Sequence, residues 1–294
     1  MEKVLRNKKA ILFFLLPALL LYTAFVFVPI IASFYYSFFK WDVISPKKFI
    51  GFDNYVRMFT RDDVFVTSIK NMLIVLVVSL VFQQVVGFMV AVFITGKIRG
   101  KEWFKNIFFF PAIISTVAVG LMWSFIYKPD IGLINSLLGA VGLDSWKHQW
   151  LFEPKTAMWA VSFVVGWQYM GYTMIMYVAA IQNVPESIFE SARIDGAVGW
   201  KLVRYMTIPL VKPIIKVTTI LISIGSLKFF DLVFVMTGGG PANRTQVLAS
   251  YLYGRSFGQF EYGYGDALAV ILLLMCLLIT VVINGLFRKA DLEY

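Results

Sequence analysis

Five stretches of this chain, residues 11–32, 72–95, 107–127, 157–181 and 267–287, contain no charged side chain and are almost wholly apolar. Crossing a hydrocarbon core of about 30 Å takes about 20 helical residues, so each stretch is long enough to span a bilayer. Composition agrees, since 59% of the 294 residues are hydrophobic and only 15% are charged. An average soluble domain carries about a quarter of its residues as charges. The fold class expected is therefore an all-α membrane protein, organised as one transmembrane domain over residues 1–294 with no internal repeat.

The first stretch follows Lys3, Arg6, Lys8 and Lys9, the arrangement of a secretory signal. Its apolar run is longer than a signal core, carries Pro17 and Pro29, and ends in Ser33-Phe34-Tyr35-Tyr36 without a small-residue cleavage site. It is expected to stay as a first span. The single cysteine, Cys276, lies inside the last stretch, so no disulfide forms within the chain.

Residues 214–236 are a harder case, because Lys216, Lys228 and Asp231 leave only residues 217–227 free of charge. Orientation decides it. Basic residues precede the first span, and Arg288 and Lys289 follow the last, so both ends favour the cytoplasm and the number of crossings must be even. With six spans the cytoplasmic pieces hold 15 Lys and Arg, among them Lys97, Arg99, Lys101 and Lys105, and the outer loops hold 11. The net charge of +10 is thereby read as topology and not as a nucleic-acid surface. Trp41, Trp103, Tyr127 and Trp159 fall near span ends, where amphipathic rings favour the headgroup level.

Between the fourth and fifth spans, residues 183–212 are polar and look folded. Asn183-Val184-Pro185-Glu186 predicts a helix start with Asn183 as cap and Glu186 reaching back to it. The helix is expected to run through Ile194, and Gly196 gives the backbone freedom to turn. A second helix is expected from Val198 to Met206, stopped by Pro209 and Pro213. Such a pair is too small to bury a core of its own. Its apolar faces need the membrane helices, a headgroup layer or another protein as partner.

Here the residues resemble a known family. Glu190, Ala192, Gly196 and Pro209 stand at the spacing of the "EAA" motif of membrane subunits of ATP-binding-cassette importers, with Ser191, Met206 and Ile208 departing from it. Asp195-Gly196-Ala197 is similar to the carbohydrate-uptake branch. Phe230-Asp231 with Thr237-Gly238-Gly239-Gly240-Pro241 and Thr245 resembles a second stretch of the same sugar permeases, as does "LLPALLLYTAFVFVPIIASFYYSF" near the start. The resemblance implies a type I importer permease fold with six transmembrane helices and a cytoplasmic coupling-helix pair. It also implies that Glu190 seats in a cleft of a cytoplasmic ATPase subunit, with Ala192, Asp195, Gly196 and Pro209 shaping the element. The implied partners are a second, homologous permease, two ATPase subunits that bind ATP and Mg, an extracytoplasmic solute-binding protein docking on residues 41–70 and 238–262, and a sugar. This chain has no Gly-rich loop followed by Lys-Ser/Thr, so it is expected to bind no cofactor itself. The implied location is the inner membrane of a bacterial or archaeal cell.

Polar groups inside a membrane usually face a bundle interior or a water-filled path. Span four carries Trp167, Gln168, Tyr169 and Tyr172, and of these Trp167, Gln168 and Tyr172, with Ser226, Lys228, Phe229 and Asp231 in the fifth span, are the candidates for a solute path. Gln168 and Tyr172, four apart, are expected on one face. Rings with a few hydroxyl or amide groups suit a sugar, and in the maltose-type permeases that this stretch resembles, the positions of Tyr172, Ser226 and Phe229 lie close to bound sugar. The bland alternative is that these aromatics pack and that Lys228 and Asp231 neutralise each other. Lys228 facing an anionic solute such as glycerol phosphate is another reading, and Gln83 and Gln84 read as glue between helices. His148 is the only histidine and falls in an outer loop, so neither a histidine metal cluster nor a Ser-His-Asp triad can be assembled. An ion-coupled carrier is the rival from another class, with Asp231 as its only charged candidate.

Overall fold

The computed structural model describes residues 8–287 except 43 and 97. Lys3, Arg6, Lys97, Arg288 and Lys289, which carry much of the orientation argument, lie outside the described residues. Among the described residues the chain is built from helices, with one short hairpin. It divides into two compact units, Met1–Asp62 with Leu252–Leu273, and Asp63–Tyr251 with Leu274–Tyr294.

The first unit starts with α1 (Leu12–Tyr36), an apolar helix none of whose most apolar stretch is buried by this chain. Pro29 lacks the N–H that would bond back one turn, and its ring crowds the carbonyl there. The turn ahead of it opens into a π-turn, Thr23–Phe27, closed by the Val28 amide on the Thr23 carbonyl. The hairpin β1 (Phe39–Lys40) and β2 (Lys48–Phe49) follows, then α2 (Asp53–Thr60). Buried Asn54 ties this unit together, its amide donating to the carbonyls of Ser37, Phe39 and Gly263 at 2.7, 3.1 and 3.3 Å. Arg57 grips Glu261 with both guanidinium nitrogens, at 3.2 and 3.1 Å, and Arg255 adds a third bond at 3.0 Å.

In the second unit α3 (Asp63–Thr95) is 33 residues, about 50 Å at 1.5 Å per residue, and so begins well before the expected start at 72. The expected third span, 107–127, is not one straight helix. It is α4 (Lys101–Ile113) and α5 (Thr116–Ile126), bent by 98° at Ile114-Ser115, just after Pro111. Next come α6 (Leu133–Ala140) and α7 (Ala157–Gln182), the most buried helix of the chain. Its neighbours approach closely because small residues meet them: a Cβ on Gly171 would collide with the Phe108 carbonyl of α4. Tyr127 is buried with its hydroxyl on the Ala160 carbonyl at 3.2 Å, so its ring packs in the core.

The loop after α7 departs from expectation at its cap. Asn183 ends α7 and does not cap the next helix, α8 (Glu186–Ile194), whose N-cap is Pro185, with no side chain bonded there. Glu186 is thus the first residue of α8, two positions too early to close a capping box. The second short helix, α9, starts at Trp200 (Trp200–Leu202), widens into a π-turn (Val203–Thr207) and continues as Ile208–Leu210, passing Pro209 where a stop was expected. As at Pro29, the π-turn precedes the proline: the Ile208 amide reaches back to Val203, and the helix absorbs the missing bond.

The chain then enters α10 (Lys212–Leu227) and α11 (Asp231–Met236), which together form a stretch broken at Lys228-Phe229-Phe230. It ends with α12 (Leu248–Tyr253) and α13 (Tyr262–Phe287). Among the described residues four helical stretches are long and apolar enough to cross a membrane: α1, α3, α10 with α11, and α13. The bent pair α4–α5 makes a fifth if it crosses as one. α7, with 26 residues, is long enough, but Trp167, Gln168 and Tyr169 interrupt its apolar middle.

Candidate functional site

A cavity of about 320 Å3 opens where α3, α7 and α10 meet the break before α11. Tyr169, Tyr172 and Thr173 line it from α7, Gly225 and Ser226 from α10, and Lys228, Phe229, Phe230 and Asp231 from the break itself. Tyr172, Ser226, Lys228, Phe229 and Asp231, all named by the sequence, therefore come together in one place. A break in a spanning helix is tolerated where it lines such a cavity, because the freed backbone groups find partners there. Lys228 and Asp231 form no ion pair with each other among the described residues; both turn to the cavity instead.

Trp167 and Gln168 stand elsewhere. Trp167 packs on Trp123 with ring centroids 5.3 Å apart, within the main apolar core. Gln168 is buried, and its amide donates to the Ile114 carbonyl at 3.3 Å. That carbonyl belongs to the α4–α5 bend, so Gln168 satisfies backbone that the bend leaves open. Four helical residues turn about 400°, which leaves Tyr172 some 40° from Gln168. In a helix wedged between neighbours this is enough to send the two side chains to different surroundings.

Tyr169 of α7 also lines the cavity, as do Ser79 and Gln83 of α3, to which sequence reasoning gave no place on a solute path. The Ser79 hydroxyl is fully buried and makes no hydrogen bond among the described residues. A π-turn, Leu80–Val86, begins just after it and contains two adjacent glutamines, which helical geometry turns to different sides. Gln83 turns to the cavity, whereas Gln84 bonds α10, donating to Thr219 Oγ1 at 3.1 Å and accepting from Thr218 Oγ1 at 3.1 Å. The signal was present as polar residues in a charge-free span, but nothing in the sequence divides glue from cavity.

The glycine-rich stretch after α11 is a self-tied turn. Thr237 and Thr245 hydroxyls meet at 2.7 Å, Thr245 Oγ1 donates to the Gly240 carbonyl at 2.6 Å, and the Thr245 amide donates to the Gly239 carbonyl at 3.1 Å. Asn71 of α3 fastens it from outside through the carbonyls of Arg244 and Gln246, at 2.7 and 2.8 Å. The two threonines and the glycines of this motif thus hold the chain just beyond the break in place.

On the α8–α9 segment, Gly196 adopts φ +84°, and the chain around it closes two hydrogen bonds onto the end of α8. Ala192 is buried, Asp195 ends the helix, and both line a cleft of about 370 Å3 together with Ser191 and Met206. Glu190 is exposed and points away from that cleft, and Pro209 lies within α9. Ile194, Val198, Trp200 and Tyr205 are large apolar side chains left open on the same segment. A second glycine, Gly199, also holds positive φ, at +57°, and sets the start of α9.

Residues 83–291 match the family described as "Binding-protein-dependent transport system inner membrane component". The chain is 35% identical over 291 residues to a probable ABC transporter permease protein of Bacillus subtilis (strain 168), YurN, with 98% of this chain and 99% of that protein covered. It is 32% identical over 281 residues to AmyD of Thermoanaerobacterium thermosulfurigenes, a probable starch degradation products transport system permease protein, covering 95% and 94%. A chain of the bacterial alginate ABC transporter, solved in complex with an alginate pentasaccharide-bound periplasmic protein, has the same fold. It matches with a TM-score of 0.84 and 24% identity over 98% of this chain and 96% of that one.

Proposed function

The chain belongs to the binding-protein-dependent transport system inner membrane components, among the sugar permeases of ABC transporters, and from that premise we propose that it carries neutral sugars or oligosaccharides across the membrane as one permease subunit of an ATP-driven importer. The cavity at the break before α11 is the observation that carries this reading. Its walls offer rings of Tyr169, Tyr172 and Phe229 to the C–H faces of a sugar. Gln83, Ser226, Lys228 and Asp231 supply donors and acceptors for its hydroxyls.

Six crossings with both ends in the cytoplasm complete the proposal, with α4–α5 crossing as one bent span and α7 as the sixth. α7 turns its polar middle into the protein, so low overall hydropathy is no bar to its crossing. The α8–α9 segment then lies in the cytoplasm as the docking element for one of two ATPase subunits, which bind ATP and Mg. Glu190 and the open side chains of Ile194, Trp200 and Tyr205 meet that subunit. A second permease completes the path, and an extracytoplasmic binding protein delivers solute to the outer loops.

Lys228 favours a second reading, an anionic solute such as a sugar phosphate. Asp231 lines the same cavity and offsets that charge, which supports the neutral class. Competition of labelled solute uptake by neutral oligosaccharides and by sugar phosphates in vesicles separates the two. Competition by phosphorylated sugars alone would overturn the neutral reading.

A further inference from the structure

Residues 131–143, between α5 and α7, contain no charged side chain, although they form an exposed loop and a short helix. A helix on a water-facing loop ordinarily turns charged or polar residues outward. α6 does the reverse. Leu133, Leu137 and, at its C-cap, Val141 recur every fourth residue on its open face, and Val141 is 68% exposed. Ile131, 75% exposed, precedes them and Trp146, 66% exposed, follows.

The opposite face is fixed to the bundle. Ile134 packs on the main core, and buried Asn135 donates to the carbonyls of Pro129 and His148 at 3.0 and 2.9 Å and accepts from Trp150 Nε1 at 2.8 Å. Pro129 comes two residues after Tyr127, the C-cap of α5, so α6 is held within about 10 Å of a span's end. That is about the depth of the headgroup layer, which adds some 5–8 Å on each side of the hydrocarbon.

We infer that α6 is an interfacial helix, whose Leu133–Leu137–Val141 face lies in the boundary between headgroups and acyl chains on that side of the membrane. Over residues 128–156 three acids, Asp130, Asp144 and Glu153, balance three lysines, so lipid as the occupant rests on the apolar face and on the groups nearest the span ends. Lys128 sits just past α5 with its ammonium 4.4 Å from the Phe125 ring centre, and Lys155 just before α7; both are exposed and suited to lipid phosphates. Exposed Trp146 and Trp159 belong to the same chemistry. The inference rests on the membrane placement of the neighbouring spans and is independent of the solute.

The test uses the full chain in lipid nanodiscs containing phosphatidylglycerol, in a Cys276→Ser background, with an environment-sensitive fluorophore on Leu137→Cys. Ile131→Cys serves as an independent second site and Ser45→Cys, at the exposed hairpin tip, as the aqueous control. Lipids carrying a nitroxide near the headgroup are expected to quench positions 131 and 137, while iodide quenches them several-fold less than position 45. Iodide quenching equal to the control would overturn the inference. So would protection from both quenchers, which would mean that protein covers the face.

Discussion

The Ala197 amide donates to the Ala192 carbonyl at 2.9 Å, across Gly196 at φ +84°. With the Gly196 amide on the Arg193 carbonyl at 3.1 Å, this is the paired closure that ends many helices on a left-handed residue. A Cβ on Gly196 would meet nothing within 4 Å, so Gly196→Ala costs only backbone strain, about 1–2 kcal/mol. If that strain opens the turn, ATPase-subunit binding to the α8–α9 segment should weaken by roughly tenfold, the equivalent of 1.4 kcal/mol. Gly196→Asn, which tolerates left-handed backbone, should recover most of it. Equal binding by the alanine variant would show that the turn plays no part in docking.

Behind that segment, the Tyr177 and Thr218 hydroxyls meet at 2.6 Å in a buried site joining α7 to α10, and Thr218 also reaches Gln84 of α3. Thr218→Val keeps the shape and removes the hydroxyl. Hydrogen bonds between membrane helices contribute about 0.6 kcal/mol on average and up to about 1.7. Thermal melting of the purified protein should show a loss in that range, larger than for Thr219→Val. An unchanged melting point would remove this site from the contacts that hold the three helices together.

Much of this was legible in the sequence. Charge-free runs located the apolar helices, and Gly196 announced its turn. What was not legible depended on tertiary partners. The α4–α5 bend needs Gln168 from α7 to satisfy the Ile114 carbonyl, a contact with no local signature. Pro209 read as a stop because its cost is local, yet a π-turn ahead of it lets the helix continue, as another does ahead of Pro29. Ser79 and Gln83 looked like any polar residue in a span, because the packing of α3 against α7 and α10 decides which of them meets the cavity.

Lys228 and Asp231 share the cavity without pairing, so their neutralisation should discriminate between solute classes. For a neutral sugar, Lys228→Gln and Asp231→Asn should each lower uptake by roughly 10- to 100-fold, in line with one lost hydrogen bond to a charged group. For an anionic solute, Lys228→Gln should abolish uptake and Asp231→Asn should raise it. Initial uptake rates with both variants in vesicles decide between these outcomes.

Glu153 closes the turn before α7, accepting the Gln149 amide at 2.8 Å, and that bond holds its carboxyl below the usual value of 4.5, with His148 assisting. A lowered folded value means that the carboxylate's contribution is present above the unfolded value and lost as pH falls through the folded one. Amide exchange at Gln149 should therefore accelerate, relative to its intrinsic rate, as pH drops below 4.5. Glu153→Gln should show fast exchange with no such pH step. A pH step of the same size in the glutamine variant would assign it to another group.

The central claim is that ATP hydrolysis on partner subunits drives solute through this chain by way of the α8–α9 segment. Uptake into vesicles holding the purified complex, supplied with the binding protein and a sugar, tests it most directly. Uptake should require hydrolysable ATP, ignore collapse of ion gradients, and fall at least tenfold in Glu190→Ala while the binding protein's affinity for sugar is unchanged. Uptake that continues without ATP and stops when the ion gradient is collapsed would contradict it.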